Sequence, residues 1–190
     1  IIHIAKPEEA TQYTRTNPVF DRLAARFMPG PLTVILPSLP SIPPQVRAGL
    51  DTVAVRCPSH PVANALIRAA GVPIAAPSAN LSGKPSPTSA EDVRDDMDGR
   101  VDMILDGGEC AVGLESTIVK VEDDGSLLLL RPGAVTLADL ALVCDRVTVA
   151  PAVTAKLAEG EKVLSPGMKY RHYAPEAPVT LLGGNYDEML

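Results

Sequence analysis

Apolar runs of three to six residues alternate along this chain with stretches in which apolar residues recur every three to four positions. Short runs bounded by Pro, Gly or polar residues read as strands, and the longer recurrence reads as amphipathic helix. Strands and helices taking turns place the chain in the α/β class. The strand-like runs are Ile1–Ile4, Leu32–Leu36, Thr52–Arg56, Val72–Ala75, Val101–Leu105, Ser116–Val121, Ser126–Leu130 and Val147–Val149. Asp123-Asp124-Gly125 joins two of them as a β-hairpin. At 190 residues, 46% hydrophobic and only 3% aromatic, the chain has length for one sizeable core of Ala, Val, Leu and Ile with a short appendage.

Helix boundaries follow from capping residues. Asn17-Pro18 supplies an N-cap and a first-turn proline for a helix with Val19, Leu23, Ala24 and Phe27 on one face, stopped by Pro29-Gly-Pro31. Ser59 is expected to cap a second helix burying Val62, Leu66, Ile67 and Ala70, ended by Gly71. Ser89 opens a third, with Glu91 and Asp92 in its first turn, and Thr136 caps a fourth through Leu142. Pro37 to Gly49 reads as an ordered surface loop. The pattern loosens after Ala150, giving a main domain over 1–149, a linker over 150–178 and the start of a further unit over 179–190. The first residue is not Met and already lies in a strand-like run, so the natural protein is expected to begin earlier.

A net charge of -6 and the absence of Lys or Arg clusters argue against tight nucleic-acid binding. Cys57, Cys110 and Cys144 are widely spaced and form no CxxC pair, which suits reduced thiols and a cytoplasmic location rather than disulfides or zinc. No apolar run approaches membrane-spanning length.

The richest chemistry lies in Pro73 to Thr88, where an apolar strand stops and Ser78, Asn80, Ser82, Lys84, Ser86 and Thr88 follow in quick succession. Ligands of α/β folds collect beyond the carboxyl ends of strands, and hydroxyls, amides and backbone N–H groups can cradle phosphate there. The same residues also make ordinary capped turns. Arg56 ends an apolar strand where its fork could take a carboxylate or a structural ion pair. Ser116 and Arg131 bracket the hairpin and can lie close together, although Arg131 could equally be solvated. His3, inside an apolar strand, is more often a core histidine than a catalytic one, and His60 and His172 form no metal-ligand spacing with it. No P-loop, GxGxxG or GxSxG occurs, and no covalent nucleophile is predicted.

Five motifs in order, Pro29-Gly-Pro-Leu-Thr33, Val53-Ala-Val-Arg-Cys-Pro58, Ala76-Pro-Ser-Ala-Asn80 with Ser82-Gly83, Leu114-Glu-Ser-Thr117 and Leu130-Arg-Pro-Gly-Ala134, resemble the YrdC-like threonylcarbamoyl-AMP synthase family. Ser165-Pro-Gly-Met-Lys-Tyr-Arg-His-Tyr-Ala-Pro175 resembles the linker of its longer form. The resemblance implies a twisted mixed sheet with a deep cleft. It also implies formation of threonylcarbamoyl-AMP and pyrophosphate from L-threonine, bicarbonate and ATP, with Mg²⁺ assisting, and a separate transferase that carries the group to tRNA. By matching motif position, His3, Arg56, Ala76 and Ser116 would hold threonine. Thr52, Ser78, Asn80, Ser86, Arg131 and, from the linker acting as a lid, Tyr173 would hold ATP. The family's preceding Thr/Tyr-containing strand and Lys-x-Arg motif have no counterpart in these residues.

Two other readings differ in what they require. A carbamoyl-transferring domain of hydrogenase maturation, which shares the YrdC-like core, would be flanked by acylphosphatase and zinc-binding regions. A non-catalytic RNA-binding module would need a basic concave face.

Overall fold

Local signals near proline and the capping residues set most element boundaries. The computed structural model describes residues 1–154. In chain order these form β1 (Ile2–His3), a single 3₁₀ segment (Pro7–Gln12), α1 (Pro18–Phe27), β2 (Leu32–Pro37), β3 (Thr52–Arg56) and α2 (Pro61–Ala70). Then come β4 (Ile74–Ala75), α3 (Ala90–Met97), β5 (Thr117–Val121), β6 (Leu127–Arg131), α4 (Leu137–Ala141), β7 (Val147–Val149) and α5 (Pro151–Thr154). Asn17 caps α1 by accepting from the Phe20 N–H, and Ser89 and Thr136 each form a reciprocal capping box, with Asp92 and Asp139.

All seven strands lie in one mixed sheet of order β4-β1-β3-β2-β5-β6-β7. β1/β3, β2/β5 and β6/β7 pair parallel, while β1/β4, β2/β3 and β5/β6 pair antiparallel. β2 is central, and its Leu32 to Leu36 are buried throughout, as a strand covered on both faces requires. On one face Val34, Leu36, Val53, Val55, Val119, Leu127 and Leu129 join Phe20 and Leu23 of α1 and Leu140 of α4 in the main core. Each such side chain contributes about 1.5–3 kcal/mol of burial. Ile35, Ile118, Leu130 and Ala150 form a smaller cluster on the other face.

Register places the polar residues in line. His3 is opposite Arg56, Arg56 opposite Thr33, Thr33 opposite Ile118, and Ile118 opposite Arg131, one row across five strands. Directly opposed residues project to a common face. The chain neighbours Ile2, Ile4, Leu32, Val34, Val55 and Cys57 belong to the main core, so strand alternation turns His3, Arg56 and Thr33 to the opposite side, and a register shift in the β5/β6 pairing at Ile118/Val119 brings Arg131 there as well.

Four expectations need correction. His60, not Ser59, is the N-cap of α2, and it makes no side-chain capping bond. Of the expected buried face of α2 only Ile67 is covered, while Val62 and Leu66 are 39% and 48% exposed, because little else packs over this helix. Val101–Leu105 is not a strand: it has no sheet neighbour, and Val101, Met103 and Leu105 are exposed. Finally, α5 forms where a patternless linker was expected, and Ala150 is buried beneath β6, so packing continues past Val149.

Candidate functional site

Two clamps assemble the site at the end of the hairpin. The Thr117 hydroxyl donates to the Val135 carbonyl at 2.8 Å and accepts from the Val135 N–H at 3.0 Å, pinning the turn after β6 to the start of β5. Gly133 lies in this contact, where a Cβ would stand 2.4 Å from the Glu115 carbonyl oxygen and 2.6 Å from the Thr117 nitrogen. Only glycine fits so close a backbone approach.

The clamps bring Arg131 onto Ser116. Its Nε donates to the Ser116 carbonyl and its Nη2 to the Ser116 hydroxyl, both at 2.9 Å, while Nη1 pairs with Glu115 Oε2 at 3.2 Å. The other oxygen of Glu115 accepts a short hydrogen bond from the Ser86 hydroxyl. Behind them the buried Thr33 hydroxyl bonds the Ser116 hydroxyl at 2.8 Å.

Arg56 completes the cluster. Burial pushes its guanidinium pKa down, the Glu115 charge raises it and the Arg131 charge lowers it, so all three groups share one electrostatic neighbourhood. Its Nε donates to the Gly30 carbonyl at 3.4 Å. His3 is placed by β1, with Nδ1 3.2 Å from the Ile74 carbonyl, which can only accept, so the ring proton sits on Nδ1. Burial lowers the His3 pKa, the bond to Ile74 opposes that, and the Arg56 charge lowers it further. The ring is therefore neutral at neutral pH. Cys57 next to Arg56 is buried with its thiol pushed up to about 11, which removes it as a nucleophile.

The polar loop after β4 forms the second wall. Ala76 extends the pairing of β4 through its N–H to the Ile1 carbonyl at 3.3 Å. Ser78 is exposed and lines a groove of about 490 Å³ with Pro77, Thr88, Val93, Ile104 and Cys110. The hydrogen bond from Ser86 to Glu115 ties this loop to the cluster. Asn80 donates to the Leu81 and Lys84 carbonyls at 2.9 and 3.2 Å, and its buried Oδ1 has no partner. Asp96 of α3 holds the loop from beneath, accepting from the Leu81 N–H at 3.0 Å and from Lys84 Nζ at 2.6 Å. The Lys84 hydrogen bond, helped by that from Leu81, keeps the Asp96 carboxyl below the usual carboxylate range.

The structure thus brings together His3, Arg56, Ser86, Ser116 and Arg131, with Ala76, Ser78 and Asn80 on the adjoining loop. Thr52 is not brought to them: it starts β3, roughly 13 Å from Arg56 along the strand. Tyr173 lies outside the described residues. Sequence reasoning missed Thr33, Glu115 and Asp96. The signal for Thr33 was a hydroxyl inside an otherwise apolar run; Glu115 and Asp96 had none beyond being carboxylates.

Two guanidinium groups against one carboxylate leave excess positive charge beside hydroxyls, an arrangement suited to anions such as a carboxylate or a phosphate. Among the described residues no group of three or more His, Cys, Asp or Glu is arranged to hold a metal ion, and no helix is long and apolar enough to cross a membrane.

Comparison with known proteins gives the family. A model of the Sua5, YciO and YrdC proteins, described as telomere recombination, matches residues 1–133, and one described as threonylcarbamoyl-AMP synthase, C-terminal domain, matches residues 135–189. The chain is 49% identical over 187 residues to the threonylcarbamoyl-AMP synthase of Bacillus subtilis, covering 97% of this chain and 53% of that protein. It is 46% identical over 190 residues to that of Pyrococcus abyssi, covering 100% of this chain and 55% of the relative. The crystal structure of P. abyssi Sua5 complexed with L-threonine superposes with a TM-score of 0.91, covering 98% of this chain and 54% of that one. The chain therefore spans about half the length of these relatives. With the family model matched over residues 1–133 and a fold shared with a solved relative at 46% identity, the chain belongs to the Sua5/YciO/YrdC family.

Proposed function

We propose that this chain is the adenylate-forming part of a threonylcarbamoyl-AMP synthase. L-Threonine and bicarbonate give the carbamate with loss of water, a carbamate oxygen attacks the α-phosphorus of ATP, and pyrophosphate leaves. The observation that carries this reading is the convergence of Arg56, Ser116 and Arg131 on one end of the sheet. It is supported by the relatives' names and by the threonine-bound structure of one of them.

In this reading Arg56 pairs with the threonine carboxylate, and His3, the backbone at Ala76 and the Ser116 hydroxyl shape the rest of the amino acid's place. Ser78, Asn80, Ser86 and Arg131 face the nucleotide, where Arg131 meets charge developing on phosphate. No protein nucleophile takes part; the chain's contribution is positioning and charge. Mg²⁺ would supply further neutralisation of phosphate charge. Glu115, the carboxylate of the cluster, is engaged by Ser86 and Arg131, so the ion would be carried by the nucleotide rather than by a carboxylate set of the chain. Tyr173 would close over the nucleotide and limit hydrolysis of the mixed anhydride. A separate cytoplasmic transferase would move the threonylcarbamoyl group to tRNA, which the net charge of -6 leaves this chain free not to hold tightly.

Purified protein incubated with ATP, bicarbonate and L-threonine is expected to release pyrophosphate only when threonine is present. Release indifferent to threonine, or none, would overturn the proposal.

A further inference from the structure

Ser116 is 3% exposed, and its hydroxyl stands between two other polar groups whose chemistry fixes its own. Arg131 Nη2 can only donate, and it donates to Ser116 Oγ at 2.9 Å. The Thr33 hydroxyl, fully buried, lies 2.8 Å from the same oxygen. Either of these two hydroxyls could in principle donate. Were Ser116 the donor, the proton of the fully buried Thr33 would have no acceptor among the described residues even with the site filled, whereas the proton that Ser116 keeps when Thr33 donates can be met by a ligand. An unmet buried donor is costly, and only the second arrangement leaves none once a ligand is bound. Thr33 therefore donates, both lone pairs of Ser116 Oγ are taken, and its remaining capacity is its own proton.

We infer that Thr33 is a positioning residue that, with Arg131, turns Ser116 into an obligate hydrogen-bond donor toward an acceptor oxygen of the bound amino acid. This rests on the reading of the site given above. It also specifies what part of the ligand Ser116 can meet: a carboxylate, carbamate or hydroxyl oxygen, and not an ammonium group.

Thr33→Val keeps the shape of the side chain and removes the donor, and Thr33→Ser restores it. In threonine-dependent pyrophosphate release, Thr33→Val should raise the KM for threonine roughly tenfold, leave the KM for ATP within about twofold, and be largely reversed by Thr33→Ser. In a Ser116→Ala background the same substitution should change little further, because the hydroxyl that it orients is gone. Thermal melts of each variant separate loss of fold from loss of positioning. Equal shifts in both KM values, or an undiminished effect of Thr33→Val in the Ser116→Ala protein, would overturn the inference alone. No threonine-dependent release from the unmodified protein would overturn the reading of the site and this inference with it.

Discussion

Gly133 shows how a single residue holds the site together. Its missing Cβ lets the turn after β6 touch the backbone of Glu115 and Thr117, and that contact delivers Arg131 to Ser116. Gly133→Ala must push these backbones apart, and we expect a loss of about 1–3 kcal/mol in stability by chemical denaturation, with reduced ATP affinity. His3 sets a pH dependence of known sign. Its folded pKa lies below the ordinary 6.5, chiefly through burial. Its stabilising contribution is therefore complete above about 6.5 and is lost as pH falls through the folded value. The melting temperature of the unmodified protein should drop more steeply between pH 7 and 5 than that of His3→Gln; parallel curves would contradict this. Residue identity alone made Arg56, Ser116 and Arg131 legible as candidates, because a charge or a hydroxyl at a strand end has few structural duties. Thr33 was not legible, since a hydroxyl within a buried strand declares its role only through the neighbour that it meets.

Three helices bounded by local capping chemistry were read correctly, whereas the cap of α2 and two segments that depend on distant partners were not. Asn17, Ser89 and Thr136 cap their helices through bonds made within one turn, so sequence sufficed. Val101–Leu105 has the apolar content of a strand, but a strand exists only where another backbone pairs with it, and β4 at that side of the sheet is two residues long. The periodicity of α2 likewise promised a buried face that the surrounding elements cover only at Ile67. Helix α3 links element stability to the site, because it carries Asp96 beneath the loop of Ser78 and Asn80. Ser89→Ala removes its cap and should cost about 1 kcal/mol. Calorimetry should then show weaker ATP binding with threonine binding little changed; an equal loss for both ligands would contradict the assignment of this loop to the nucleotide.

At the scale of the molecule, the sheet separates two tasks. One face is filled by the main core and supplies rigidity, while the other presents His3, Arg56, Thr33 and Arg131 in a single transverse row. Parallel and antiparallel pairings alternate across the sheet, so strand ends and strand starts meet at one end of it and polar side chains from distant parts of the chain converge there. The sequence named His3, Arg56 and Arg131 of this row but neither Thr33 nor their order, which is set by register. The central claim is that Arg56 and Arg131 serve two different ligands side by side. Titration calorimetry of purified protein with L-threonine and, separately, with ATP tests it most directly. Arg56→Ala should weaken threonine binding at least tenfold, the size of a lost charge-assisted pair, and spare ATP, whereas Arg131→Ala should do the reverse. Unchanged affinities for both ligands in both variants would contradict the account.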